Sequence, residues 1–216
     1  MSGNIEKNLI DRVAMGDLFR RRASSAPLSD ALIEYRNGKR LCLTYRQLNQ
    51  SLNKVAHALH SLGAQPGDRV ALAGLNSIEF SLAIYGCMKG GYVVVPLNHL
   101  QSKNDLSYTI NHCEARAVIV EDSLVEKFES IKPALPSVDH WVSISINDIQ
   151  KPDDYLDFQS LIDSAPDNEI TNVKINDRDP LQILYTSGTT SKPKGVETSH
   201  LALFINTLAA AIELGI

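Results

Sequence analysis

A chain of 216 residues, 44% hydrophobic and 21% charged, has the length of one large domain or two small ones and the composition of an ordinary globular protein. A formal net charge of −4 gives no electrostatic case for nucleic acid or an anionic membrane as a partner. The cysteines Cys42, Cys87 and Cys113 form no CxxC pair and the histidines show no HExxH or Cys/His spacing, which argues against a disulfide framework and a metal site.

Each cysteine lies in or beside an apolar segment and reads as a small buried hydrophobe in a reducing compartment. The start of the chain, Met1 to Asn8, is polar and lacks a signal core, and the most apolar run, Gly90 to Leu97, is too short to span a bilayer. No transmembrane segment and a cytoplasmic location are expected.

In chain order, Ile10, Val13, Ala14, Leu18 and Phe19 recur at helical spacing and lead into Arg20-Arg21-Arg22, a solvated helix end that complements the helix dipole. Two apolar runs flank Arg36-Asn37-Gly38-Lys39, where Asn-Gly predicts a hairpin. Thr44 and Gln47 form a capping box for a helix whose stripe is Leu48, Leu52, Val55, Ala56, Leu59 and Leu62, ended by Gly63. Pro66-Gly67-Asp68 turns into a strand over Arg69–Ala73. Asn76 with Glu79 offers a second capping box for a helix to about Lys89, and Tyr92–Pro96 is a buried strand. Ser102 with Asp105 opens a third short helix, and Arg116–Val120 is the next strand. Leu124–Ile131 reads as helical and His140–Ile144 as a strand. Residues 147–180, rich in Asp, Asn and Pro, read as loop with one short helix near Asp157–Ile162. Strands alternating with amphipathic helices predict an α/β fold, a layered and largely parallel sheet with flanking helices, whose ligands gather beyond the carboxyl ends of the strands.

One segment carries chemistry. The strand Leu181–Tyr185 feeds Thr186-Ser187-Gly188-Thr189-Thr190-Ser191-Lys192-Pro193-Lys194-Gly195-Val196, and a helix-compatible stretch opens at Ser199. Small residues let backbone N–H groups crowd an anion, hydroxyls add donors and lysines add charge, so the loop reads as a phosphate cradle. It is not a Walker A loop, because the second glycine counted from Gly188 would fall at Pro193. A flexible linker accounts for the glycine and serines but not for the preceding strand, the lysines bracketing Pro193 or the density of hydroxyls.

Tyr185–Val196, followed by Ser199-His200, resembles the phosphate-binding signature of the adenylate-forming enzymes: acyl-CoA synthetases, peptide-synthetase adenylation domains and luciferases. Leu43–Leu48 resembles that family's "LTYxEL" segment, Pro66–Ala71 its "PGDRVA" segment and Met88–Asn98 its "KAGxxxVPLN" segment. The landmarks come in family order and cover most of residues 10–205. Ser191 departs from the pattern, which usually has glycine there, and so alters the fine geometry of the loop.

The resemblance implies an AMP-forming ligase in which a carboxylic acid attacks the α-phosphate of ATP, releasing pyrophosphate, before a thiol such as coenzyme A displaces AMP. ATP with magnesium and coenzyme A are the implied cofactors. Thr186, Ser187, Gly188, Thr189 and Thr190 would donate to the β- and γ-phosphates, and Lys194 would add positive charge against the leaving pyrophosphate. Lys192 reads as a solvent-facing charge, Gly195 as a shape requirement and His200 as a helix-start residue. The resemblance divides the chain into an N-terminal α/β subdomain, 1–175, and the start of the next α/β portion, 176–216. It places the adenine- and ribose-contacting segments, the magnesium-binding glutamate and the catalytic lysine domain elsewhere, so residues 1–216 alone are expected to be inactive. An acyl-CoA synthetase is favoured over a peptide-synthetase domain because no carrier domain is attached. The rival readings are a non-catalytic module that binds nucleotide or pyrophosphate and an inert folding unit.

Overall fold

The computed structural model describes residues 12–186 and 192–215. Its frame is a seven-stranded sheet built from β3 (Arg69–Ala73), β4 (Val93–Pro96), β5 (Ala117–Glu121), β6 (His140–Ile144), β7 (Leu156–Asp157), β8 (Pro180–Thr186) and β9 (Lys194–Ser199), in the order β7-β6-β5-β3-β4-β8-β9. Every neighbouring pair is parallel except β8 and β9, which form an antiparallel hairpin at one edge. The expected α/β sheet is therefore present, with one antiparallel edge.

Successive strand residues serve two separate cores. Val70, Leu72, Val94, Ile119 and Val142 face α2 (Tyr45–Ser61) and α3 (Ile78–Gly90). Ala71, Val93, Val95, Val118 and Val120 face α4 (Lys103–His112) and α5 (Val125–Glu129) on the opposite side. Burial on both faces is why these strands read as continuous apolar runs rather than alternating ones. The connection leaving β3 runs over the first face and that leaving β5 over the second, so their carboxyl ends flank a topological switch point. The chain's own Glu121 occupies it, with Asp122 turned toward the segment that follows β6. Glu121 accepts from Leu75 N (2.7 Å), and Asp122 accepts from the backbone of Ile146, Asn147 and Ile149. Burial works against the charged form of Asp122, but the side chain and backbone of Asn147 and the other donors outweigh it and hold its pKa low.

Local signals specify most boundaries. Asn37 and Gly38 both have positive φ, joining β1 (Asp30–Arg36) to β2 (Lys39–Thr44). The Thr44–Gln47 capping box is formed in both directions. The second box is not: Ser77, one residue later than expected, caps α3 by accepting from Phe80 N. Glu79 is thereby free to pair with Arg36, which also binds Glu34, while Glu34 accepts from Ile78 N. Cys87 and Cys113 are buried, and burial pushes both thiols up, Cys113 to about 11. Cys42, expected to be buried, is only half covered because its hairpin stands apart from the large sheet.

Two long-range polar clusters tie the periphery down. α1 (Met15–Ser25) starts after Val13 and Ala14, and Ile10 lies outside the described residues. Its Arg triplet is more than a solvated end, since Arg22 sits over the Tyr45 ring at 5.1 Å and Arg20 lies 3.7 Å from the buried Asp17. The 165–176 stretch, expected to be loop, has no helix or strand but crosses α2. Glu169 meets Asn49 and the buried Lys89, and Asn53 donates to Asp167 O. Burial pulls the Lys89 pKa down, and Glu169 opposes that shift. The short helix near residue 160 is α6 (Phe158–Asp163), preceded by the unexpected β7. Among the described residues no helix is long and apolar enough to cross a membrane.

Candidate phosphate-binding site

The hairpin sets the geometry of the candidate site. Thr186 and Lys194 are cross-strand partners at its open end, so both lie at the mouth of the 187–193 loop. Directly opposed residues share a face of an antiparallel pair, so Leu184, Thr186, Lys194 and Val196 occupy one face and Ile183, Tyr185, Gly195 and Glu197 the other. The first face is exposed at all four positions. Among the described residues neither the Thr186 hydroxyl nor the Lys194 ammonium has a hydrogen-bond or ion-pair partner, which leaves a donor and a cation available to an anion. Ser187, Gly188, Thr189 and Thr190, together with Ser191, lie outside the described residues.

The second face packs against α4. Tyr185 OH lies 2.7 Å from His112 Nδ1, with the rings edge-on at 5.7 Å. Half-burial raises the Tyr185 pKa to about 12, which keeps the phenol neutral. Gly195 is required by this packing, since a Cβ there would lie 2.8 Å from Ile183 Cγ2 and 3.1 Å from the Tyr185 ring. Lys192 is exposed but not merely solvated, because its ammonium sits 5.0 Å from the centroid of the Tyr108 ring. An open cleft of about 500 Å³ runs beneath this face, lined by Arg69, His112, Glu114, Tyr185 and Glu197. Arg69 is already engaged there by the carbonyls of Cys113 and Glu114.

The sequence predicts a loop that runs on to a helix start at Ser199, whereas the structure forms the strand β9 over Lys194–Ser199. That cap is present: Ser199 accepts from Ala202 N and opens α7 (His200–Leu214). His200 is buried at 1% exposure and its Nδ1 accepts from Met15 N (3.2 Å), tying α7 to α1. Burial, with a smaller contribution from Arg12, depresses its pKa to about 4 from 6.5. The unfolded chain therefore binds a proton that the native fold resists. The contribution of neutral His200 is complete above pH 6.5 and lost as the pH falls toward 4, about 2 kcal/mol between pH 7 and 5. Urea midpoints at the two pH values should show this loss. His200→Asn, which keeps an acceptor near Nδ1, should show a smaller one, and an equal loss in the variant would remove His200 as its source.

Similarity to known proteins agrees with this architecture. Residues 19–215 match the family of the AMP-binding enzymes. A long-chain-fatty-acid–CoA ligase of Thermus thermophilus is 28% identical over 205 residues, 95% of this chain and 37% of the ligase. A fatty acid–[acyl-carrier-protein] ligase of Streptomyces coeruleorubidus is 33% identical over 179 residues, covering 79% of this chain and 31% of its own. Among solved structures, an anthranilate CoA ligase in complex with anthranoyl-AMP superposes with a TM-score of 0.78 at 29% identity, covering 87% of this chain and 35% of that one. The chain belongs to the AMP-binding enzyme family, the adenylate-forming enzymes. It spans about a third of the length of the relatives it matches.

Proposed function

We propose that this chain is the phosphate-gripping part of an acid-activating, AMP-forming ligase that makes an acyl-adenylate from a carboxylic acid and ATP and passes the acyl group to the thiol of coenzyme A. The observation that carries the reading is the Thr186–Lys194 pair, without a side-chain partner among the described residues, on the exposed face at the mouth of the loop. An ammonium and a hydroxyl fixed on one face suit a polyphosphate chain, and negative charge grows on the pyrophosphate as it leaves. Thr186, Ser187, Gly188, Thr189 and Thr190 serve as donors to the β- and γ-phosphates. Magnesium accompanies the nucleotide, held by residues in other parts of the enzyme. Residues 1–175 form one α/β unit, and residues 176–216, whose two strands extend its sheet at one edge, begin the next. The apolar and largely exposed α7 supports that division, with Ile205, Leu208 and Ile212 each at least half exposed.

Exchange of radiolabelled pyrophosphate into ATP by the full-length enzyme, run against a panel of aliphatic and aromatic carboxylic acids, tests the reading. Label should enter ATP only when one class of acid is present, and exchange that ignores the acid would contradict it. Residues 1–216 alone should form no acyl-adenylate detectable by mass spectrometry. Its appearance would mean that the chemistry needs nothing beyond them.

A further inference from the structure

The exposed face of the hairpin is where the phosphate reading places its ligand, and the covered face determines how that surface is held. We propose that α4 is a positioning element for the phosphate loop, acting on both ends of the loop through His112 and Tyr108. This rests on the reading of the loop as the pyrophosphate grip.

On the entry side, Tyr185 immediately precedes Thr186, and its hydroxyl meets His112 Nδ1 at 2.7 Å. On the exit side, Lys192 stands two residues before Lys194 over the Tyr108 ring at 5.0 Å. Tyr108 and His112 are four apart on one helix, with ring centroids 5.2 Å from each other, so one face of α4 reaches both ends. Cross-strand pairing then carries the constraint to the ligand side: fixing Tyr185 and Gly195 fixes the Thr186–Lys194 pair one register step away, facing the other direction. Gly195 completes the device, because a Cβ there would clash with Ile183 at 2.8 Å and crowd the Tyr185 ring at 3.1 Å. The helix is anchored independently, with Leu106 and Ile110 fully buried in the core beneath it. His112 and Tyr108 lie on the side of the hairpin away from the Thr186–Lys194 pair. They act through the loop.

The test uses the full-length enzyme, with ATP–pyrophosphate exchange as readout and Lys194→Ala as the reference for the loop itself. Tyr185→Phe removes one oxygen and preserves packing, and it should raise the KM for ATP three- to fivefold while leaving the KM for the acid and the thermal midpoint unchanged. His112→Ala should do the same, and His112→Asn, whose amide oxygen can accept near the position of Nδ1, should restore most of the loss. Tyr108→Leu, which takes the ring from beneath Lys192, should raise the KM for ATP about twofold. If Lys194→Ala impairs exchange while Tyr185→Phe and His112→Ala keep the ATP KM at the wild-type value, the positioning role is overturned and the grip stands. If His112→Asn is no better than His112→Ala, the hydrogen bond is not the agent and the proposal fails. If Lys194→Ala is also without effect, the grip and the positioning role fall together.

Discussion

Replacing Lys194 with alanine in the full-length enzyme is expected to lower acid-dependent ATP–pyrophosphate exchange about a hundred- to a thousandfold, the range for removing one preorganised donor from a developing anion. The fold should not notice. Lys194 is exposed, lies on the open face of an edge hairpin and has no ion-pair partner among the described residues, so its removal leaves no buried group uncompensated. Lys194→Arg should recover part of the loss by keeping the charge, though the planar guanidinium does not reproduce a point charge. A thermal midpoint near the wild-type value, measured beside the exchange rate, separates a chemical effect from a structural one. Exchange at the wild-type rate in Lys194→Ala would remove this residue from the mechanism.

The largest stability effect is expected at the opposite end of the chain. Asp17 is 2% exposed and its carboxylate receives both Nε (2.6 Å) and Nη2 (3.0 Å) of Arg12, itself buried. Removing Asp17 takes a buried carboxylate from the Arg12 fork and from Arg20 at 3.7 Å, so Asp17→Ala should cost about 3–5 kcal/mol. The double change Arg12→Met/Asp17→Leu should cost less than Asp17→Ala, because the buried Arg12 guanidinium leaves with its carboxylate and the remaining Arg20 is partly exposed. Urea unfolding of the three proteins at neutral pH checks this. A loss below about 1 kcal/mol in Asp17→Ala would mean that water screens the pair as it does a surface bridge.

Much of this architecture is legible in the sequence where a signal is local. The Thr44–Gln47 box, the Asn37-Gly38 turn and the doubly buried runs Arg69–Ala73 and His140–Ile144 each determine their own structure. The Asn76 cap was placed one residue early because Asn76 and Ser77 are both good caps, and Glu79, three residues after Asn76, favoured the wrong one. β9 was invisible for a different reason. Lys194-Gly195-Val196-Glu197-Thr198-Ser199 contains a single large apolar residue, and pairing with β8 is what makes it a strand. Contacts between residues far apart in the chain leave no periodic trace. Asn53 to Asp167, Lys89 to Glu169 and His112 to Tyr185 join polar residues with no shared pattern, so neither the path of the 165–176 segment over α2 nor the packing of β8 against α4 could be read in advance. For the site, the family to which the loop belongs was legible from its residue types. The division of its flanking strands into a face packed on α4 and an exposed face was not, since it depends on a strand the sequence hid.

The central claim is that the loop grips pyrophosphate as it leaves, so the products of ATP turnover test it most directly. Phosphorus NMR of the full-length enzyme incubated with ATP, its carboxylic acid and coenzyme A should show AMP and pyrophosphate accumulating in equal amounts, dependent on the acid. ADP and orthophosphate as the products would place bond cleavage at the γ-phosphate and contradict the account.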